Sequence, residues 1–303
     1  MRVFVTGASG WIGSAVVPEL LAAGHTVVGL ARSDAAAAAV AGTGAEVRRG
    51  SLDDLDSLRA GAEDSEGVIH LAFKHDFSDF AGAGRTERAA VATLADALVD
   101  TGRPFLFAAG VAMITPGRVA TELDPSPMRG PDAPRGGAED FALGYAERGV
   151  RPVSLRFAPT VHGPGDPGFV ATLTAVARER GAAGYVGDGS NRWAAVHRTD
   201  AARLVRLALE QAPAGSVVHA VAEEGVPTRT LAEAIGAQLG VPAVSVDPDR
   251  VTEHFGWIGG FFALDMAASS ALTQERLGWT PTHPGILDDL AAGCYGTTAA
   301  APH

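Results

Sequence analysis

The stretch VFVTGASGWIGSAV, Val3–Val16, sets Gly7, Gly10 and Gly13 three residues apart, between one apolar run and the start of another. Few local patterns constrain a chain more. Arg2–Thr6 reads as a short buried strand, and Trp11–Ala23 as a helix with Ile12, Val16 and Leu20 on one face. Gly24 follows as a C-cap. A strand that enters a helix through such a turn leaves the first helical N–H groups free to hold an anion. Glycine keeps the turn tight and lets the backbone approach a pyrophosphate. The spacing Gly-x-x-Gly-x-x-Gly differs from the Gly-x-Gly-x-x-Gly of the general dinucleotide fingerprint. Its weight comes from its place, inside a β-α-β unit.

The pattern then repeats. Strands are expected at 26–30, 46–49, 68–71, 104–108 and 152–156. Helices are expected at 34–41, 54–60, 78–100 and near 136–148, the long one carrying Val91, Leu94, Ala95 and Leu98 on one face. This alternation predicts an α/β fold, a Rossmann-type doubly wound parallel sheet with right-handed crossovers. The segment from Gly110 to Pro134 has no clear period and is rich in Pro and Gly, as functional loops often are. After Arg156 the pattern loosens, which predicts a smaller C-terminal substrate lobe. Residues 1–156 are read as mainly the dinucleotide-binding domain and 157–295 as mainly the lobe. Segments near 194–220 are expected to return to the main sheet, and 296–303 to form a frayed tail.

Composition narrows the partners. The chain has 303 residues, 47% hydrophobic and 19% charged, and a net charge of −11. A chain this acidic repels phosphate backbones, so nucleic acid is not expected as a partner. Cys294 is the one cysteine, so no disulfide can form within the chain. A strand pattern from Arg2 leaves no room for a leader, and no apolar run reaches about eighteen residues. These features predict a cytoplasmic protein without a membrane span. No metal site is expected, because His70 and His75 have no cysteine or third ligand beside them.

The stretch Thr6-Gly7-Ala8-Ser9-Gly10-Trp11-Ile12-Gly13 resembles the extended short-chain dehydrogenase/reductase family, which includes sugar-nucleotide epimerases. LRFAPTVHGPGD (Leu155–Asp166), AAVHRTDAARL (Ala194–Leu204) and LGWTPTHP (Leu277–Pro284) resemble its later signatures. The resemblance spans roughly residues 1–292 and implies a nicotinamide dinucleotide between two lobes. It assigns Thr6, Gly7, Ser9, Gly10, Trp11, Ile12 and Gly13 to the pyrophosphate loop. Ser51 and Leu52 fall to the adenine side, Leu71, Ala72 and Phe73 to the fourth-strand segment VIHLAF (68–73) that runs beneath the adenine ribose and nicotinamide side, and Phe157 and Pro159 to the segment after strand six. His70 is expected to pack against the cofactor or the core. The second strand ends in VVGLARSD with no carboxylate where an NAD site places one. Arg32 and Ser33 stand there instead and suit a 2′-phosphate, so NADP is expected; Asp34, slightly beyond, is the residue that would serve NAD.

The family's proton donor is a tyrosine in a Tyr-x-x-x-Lys pair, and this chain lacks it. Its one lysine is Lys74, with His70 four positions before it, and its tyrosines are Tyr145, Tyr185 and Tyr295. Aligning the helix before VRPVSLRFAP puts Arg135 in the tyrosine place and Glu139 in the lysine place. A guanidinium holds its proton to above about pH 12 and is a poor acid. His75, tuned by Asp76, is therefore the expected acid, with Lys74 beside cofactor or substrate. Tyr145 is the weaker alternative, carried away from the cleft by two further turns. Met113, His162, Trp193 and Trp257 are expected on the substrate side. The partners expected are a small-molecule substrate and a second copy of the chain, paired through 78–100 and 136–148. Two functions stay open: an NADP-dependent reductase of a small carbonyl, imine or alkene with a non-standard proton donor, or a non-redox protein that senses or structurally retains the dinucleotide.

Overall fold

A computed structural model describes residues 1–74 and 79–296. The first half alternates as its hydrophobic periods require. The chain runs β1 (Arg2–Thr6), α1 (Gly13–Ala22), β2 (Thr26–Ala31), α2 (Asp34–Gly42), β3 (Glu46–Arg49), α3 (Leu55–Glu63), β4 (Gly67–His70), α4 (Phe80–Asp96) and β5 (Pro104–Gly110). Then come α5 (Ala138–Leu143), β6 (Arg151–Phe157), β7 (Thr160–His162), α6 (Phe169–Arg180), β8 (Ala183–Val186) and β9 (Arg192–His197). The last parts are α7 (Arg198–Gln211), β10 (Ser216–Ala220), β11 (Glu223–Pro227), α8 (Thr228–Leu239) and β12 (Ala243–Val246), followed by short helices.

Seven strands form one sheet in the order β10-β6-β5-β4-β1-β2-β3, and every pairing in it is parallel. Strand order reverses between β1 and β4, so a crevice opens beyond their carboxyl ends, where ligands of such sheets bind. One face is covered by α1 and α7, whose Val16, Val17, Leu20, Leu204, Val205 and Ala208 are fully buried. The other is covered by α3 and α4, which bury Leu58, Val91 and Leu94, with Leu98 just beyond α4, against Phe4, Phe105 and Phe107.

A second apolar cluster, around Leu173, Trp193, Leu231, Ile235 and Phe262, holds the smaller lobe together. Its strands form a three-stranded sheet, β11-β9-β7, and a pair, β12-β8. Of the segment 194–220, β10 joins the main sheet and α7 packs on it, while β9 pairs in the lobe's sheet and buries Ala194 and Val196 in the main domain's cluster and Trp193 and Ala195 in the lobe's. The chain also returns a second time. The helix Ala271–Leu277 contacts α7 and β10, and the fully buried Trp279 donates its indole N–H to the Asp200 carbonyl at 3.0 Å. Asp200, itself buried, accepts the N–H groups of Thr282 and His283. The expected tail lies, beyond Gly296, outside the described residues. Among the described residues no helix is long and apolar enough to cross a membrane, and no three metal-ligating side chains converge.

Candidate dinucleotide and substrate site

The glycines divide their work. Gly7 takes φ +69°, and a Cβ there would sit 2.7 Å from the Ala72 nitrogen of the segment after β4. At Gly13 a Cβ would lie 2.0 Å from the Gly7 carbonyl oxygen. These two let the turn exist. Gly10 differs: a Cβ there would meet only the Gly7 oxygen, at 3.2 Å, and open space beyond it. The Trp11 and Ile12 N–H groups donate to no group among the described residues. A bare backbone face with free N–H groups at a helix start is the cradle a pyrophosphate needs, so the residues fit a dinucleotide. Trp11 turns its ring away, donating to the Val161 carbonyl at 2.7 Å with the Arg198 guanidinium stacked 4.0 Å above it.

At the end of β2, Arg32 is exposed and makes no hydrogen bond or ion pair among the described residues. Ser33 caps α2 by accepting the Ala36 N–H. Asp34 is engaged by Arg49, which donates to it and to the Ser33 carbonyl, each at 2.7 Å. Arg49, at the end of β3, is a residue of this corner that the sequence reading passed over. Nearby, Ser51 accepts the Asp53 N–H, Leu52 is buried, and Lys74 pairs with Asp53 at 2.6 Å. That pair holds Lys74 toward the loop after β3, on the adenine side, beside a cavity of about 330 Å³ lined also by Asp79, Gly82, Ala83, Arg85 and Thr86. His75 and Asp76 lie outside the described residues.

Beneath the glycine loop runs a buried polar chain. Thr6 ends β1 and its hydroxyl lies 2.7 Å from His70 Nδ1, while also accepting the Ala72 N–H. His70 ends β4, wholly buried, with Nε2 3.3 Å from Glu87. One proton arrangement satisfies all three: the Thr6 hydroxyl donates to Nδ1, and Nε2–H donates to the carboxylate. The second oxygen of Glu87 accepts from Arg135 at 2.9 Å. Burial alone would raise the Glu87 carboxyl, but His70 and Arg135 beside it outweigh that and hold it below the ordinary range. The guanidinium also stacks on Phe73, 4.6 Å from the ring centre. Glu87 is the residue of this candidate site that the sequence reading missed. Its signal was present: it lies four residues before Val91, on the apolar face of α4, where a carboxylate needs a partner.

The residues expected in the Tyr-x-x-x-Lys places, Arg135 and Glu139, are both engaged in ion pairs. Glu139 accepts from Ser154 and from the buried Arg156, each at 2.7 Å, and Arg156 in turn donates to the Asp124 carbonyl. Glu139 thus pins the 110–134 segment through Arg156 rather than holding a ribose. Tyr145 is corrected as an acid: it is buried against α4 and donates to Asp96 at 3.0 Å, near the amino end of β6. Burial and the Asp96 carboxylate both push its hydroxyl pKa up.

Two expected pocket walls are core. Trp193 is buried among Phe169, Phe261 and Phe262. His162 is wholly buried, with Nδ1 2.6 Å from Asp289. Trp257 and Met113 are exposed, Trp257 with its ring against Phe169. Phe157 is buried at the end of β6, its carbonyl accepting the Val111 N–H, and Pro159 is half-buried.

The geometry has counterparts among known proteins. The profile of the NAD dependent epimerase/dehydratase family matches residues 3–221. An uncharacterized protein of Schizosaccharomyces pombe is 46% identical over 296 residues, covering 97% of this chain and all of its own. A 3-diazoavenalumate denitrifying reductase from a Streptomyces species is 29% identical, covering 96% of this chain and 99% of its own. In three dimensions the chain resembles the UDP-glucose 4-epimerase of Thermus thermophilus, solved with NAD, at a TM-score of 0.76 and 23% identity over 98% of each chain. The cradle at Gly10, the reversal of strand order beside it and the profile match over β1 to β10 lead to one conclusion: the chain belongs to the NAD dependent epimerase/dehydratase family.

Proposed function

We propose that the protein is an NADP-dependent reductase of a small organic carbonyl, imine or alkene. The observation that carries this is the corner at the end of β2. Arg32 makes no hydrogen bond or ion pair among the described residues, and Asp34, the carboxylate that would serve an NAD ribose, pairs with Arg49. A free guanidinium beside Ser33 suits a 2′-phosphate through charge-assisted hydrogen bonds. A full-length relative named as a reductase supports the reaction class. When bound, the dinucleotide supplies the hydride; the chain binds it, orients it and supplies a proton.

Arg32→Ala tests the cofactor. Losing a charge-assisted contact costs about 1.5–3 kcal/mol, or roughly a 10- to 150-fold rise in the NADPH dissociation constant. NADH affinity is expected to hold within about twofold. Equal weakening of both by titration would overturn NADP preference. For the proton, His75 is the proposed acid, with Asp76 beside it. His75→Gln is expected to lower turnover by about 10²-fold with NADPH affinity kept. Unchanged turnover would assign the proton to solvent or to the substrate. Tight NADPH binding with no oxidation at 340 nm across a carbonyl and imine panel would favour the non-redox alternative.

A further inference from the structure

We propose that Arg135 forms an oxyanion subsite of the substrate site and takes a planar carboxylate carried on an apolar body. The inference rests on the reading that substrate binds beside the dinucleotide, at the carboxyl ends of β4 and β5.

The placement comes first. Arg135 reaches the foot of the glycine loop through three contacts, Arg135 to Glu87, Glu87 to His70 and His70 to Thr6, and Thr6 adjoins Gly7. Its guanidinium stacks on Phe73, which extends β4 past its carboxyl end. The group therefore stands at the ligand end of the sheet.

Donor capacity comes second. A guanidinium has five N–H donors in a fixed fork. Glu87 takes one, at Nη2, because its other oxygen is committed to His70. Among the described residues Nε is buried without a partner and Nη1 makes no hydrogen bond. Neutralising Glu87 does not require a fork with an orphaned buried donor; an incoming carboxylate would fill it.

The backbone adds a third observation. Arg135 has φ +56°, a left-handed conformation costly for a residue with a side chain, and Gly136 and Gly137 follow at +62° and +58°. Arg88 clamps this turn by donating to the Gly136 carbonyl at 2.8 Å. Strain of this kind, held by surrounding contacts, is a mark of functional positions. Phe73 supplies an apolar surface beside the fork, which selects a carboxylate with an apolar body over an inorganic anion.

The test uses benzoate, a planar carboxylate, against benzamide, its neutral counterpart, by calorimetry on the protein saturated with NADP⁺. Wild type is expected to bind benzoate at least about tenfold more tightly than benzamide. Arg135→Gln is expected to lose about tenfold or more of benzoate affinity while NADP⁺ affinity stays within about twofold. Arg135→Lys, a charge without the fork, is expected to fall between them. Equal binding of benzoate and benzamide, or unchanged benzoate binding in Arg135→Gln, would overturn the subsite. Should Arg135→Gln fail to fold, the Glu87→Gln/Arg135→Gln protein leaves no buried charge uncompensated and serves for the same measurement. Failure of wild type to bind NADP⁺ would fall on the cofactor reading alone. Benzoate titrated into the cofactor-free protein then decides the subsite by the same criteria.

Discussion

Single residues with one chemistry perform different work according to what a few ångströms of neighbourhood allow. Gly7, Gly10 and Gly13 look equivalent as a motif, yet only Gly10 faces open space. Gly13→Ala would drive a methyl into the Gly7 carbonyl, at 2.0 Å, and is expected to destabilise the protein by about 1–3 kcal/mol or more. Gly10→Val is expected to leave the thermal midpoint within about 2–4 °C of wild type, a shift of roughly 1 kcal/mol or less, and to abolish dinucleotide binding. Circular-dichroism melts and an NADPH titration of both variants check the pair. A Gly10→Val protein that binds NADPH normally would mean the loop is misassigned. Glu87 makes the same point for charge. A carboxylate this buried is tolerated because His70 and Arg135 each occupy one of its oxygens.

Between elements, the decisive contact is backbone on backbone. The helix α4 and the turn before α5 approach so closely that a Cβ on Gly136 would lie 2.4 Å from the Gly84 carbonyl, and one on Gly84 2.9 Å from the Gly136 nitrogen. This contact sets Arg135 over Glu87. Gly136→Ala combines that clash with a left-handed φ, so it is expected to cost about 1–3 kcal/mol and to displace the guanidinium. A drop in melting temperature with weakened benzoate binding checks it; an unchanged protein would show that the turn can move freely. The periodicity of 136–148 announces one helix, but the structure breaks it. It opens on a left-handed turn at Arg135–Gly137, where Gly136 meets the Gly84 backbone of α4, and its last residues, Gly144–Arg148, form a 3₁₀ helix.

Across the whole molecule, the C-terminal segment closes the main domain as well as the lobe. Trp279 lies in the core beside α7, its indole anchored to Asp200, and Asp200 caps the following turn. Trp279→Ala is expected to cost about 3–5 kcal/mol. Chemical denaturation should read this as a lower midpoint, with early exposure of 271–283 to hydrogen exchange. A near-wild-type midpoint would mean that the segment is not part of the cooperative fold. Asp200 contributes in the same place: N–H donors and His283 hold its carboxyl below the ordinary range despite burial, so its stabilisation is lost as pH falls through that lowered value.

Alternating apolar periods and the three glycines were enough to determine the sheet, its parallel direction and the ligand end. Those properties follow from local repeats that only one kind of packing satisfies. The missing acid at the end of β2 and the absent Tyr-x-x-x-Lys pair were equally plain, since they concern which residue types are present. What Arg135, Glu139, Tyr145 and Lys74 do was decided only by tertiary structure. Each has a partner 15 to 49 residues away in sequence, at Glu87, Ser154 and Arg156, Asp96 and Asp53. Periodicity reports which face of an element is buried, not which charged group waits there. A charged side chain takes its role from that partner, because burial without one is costly.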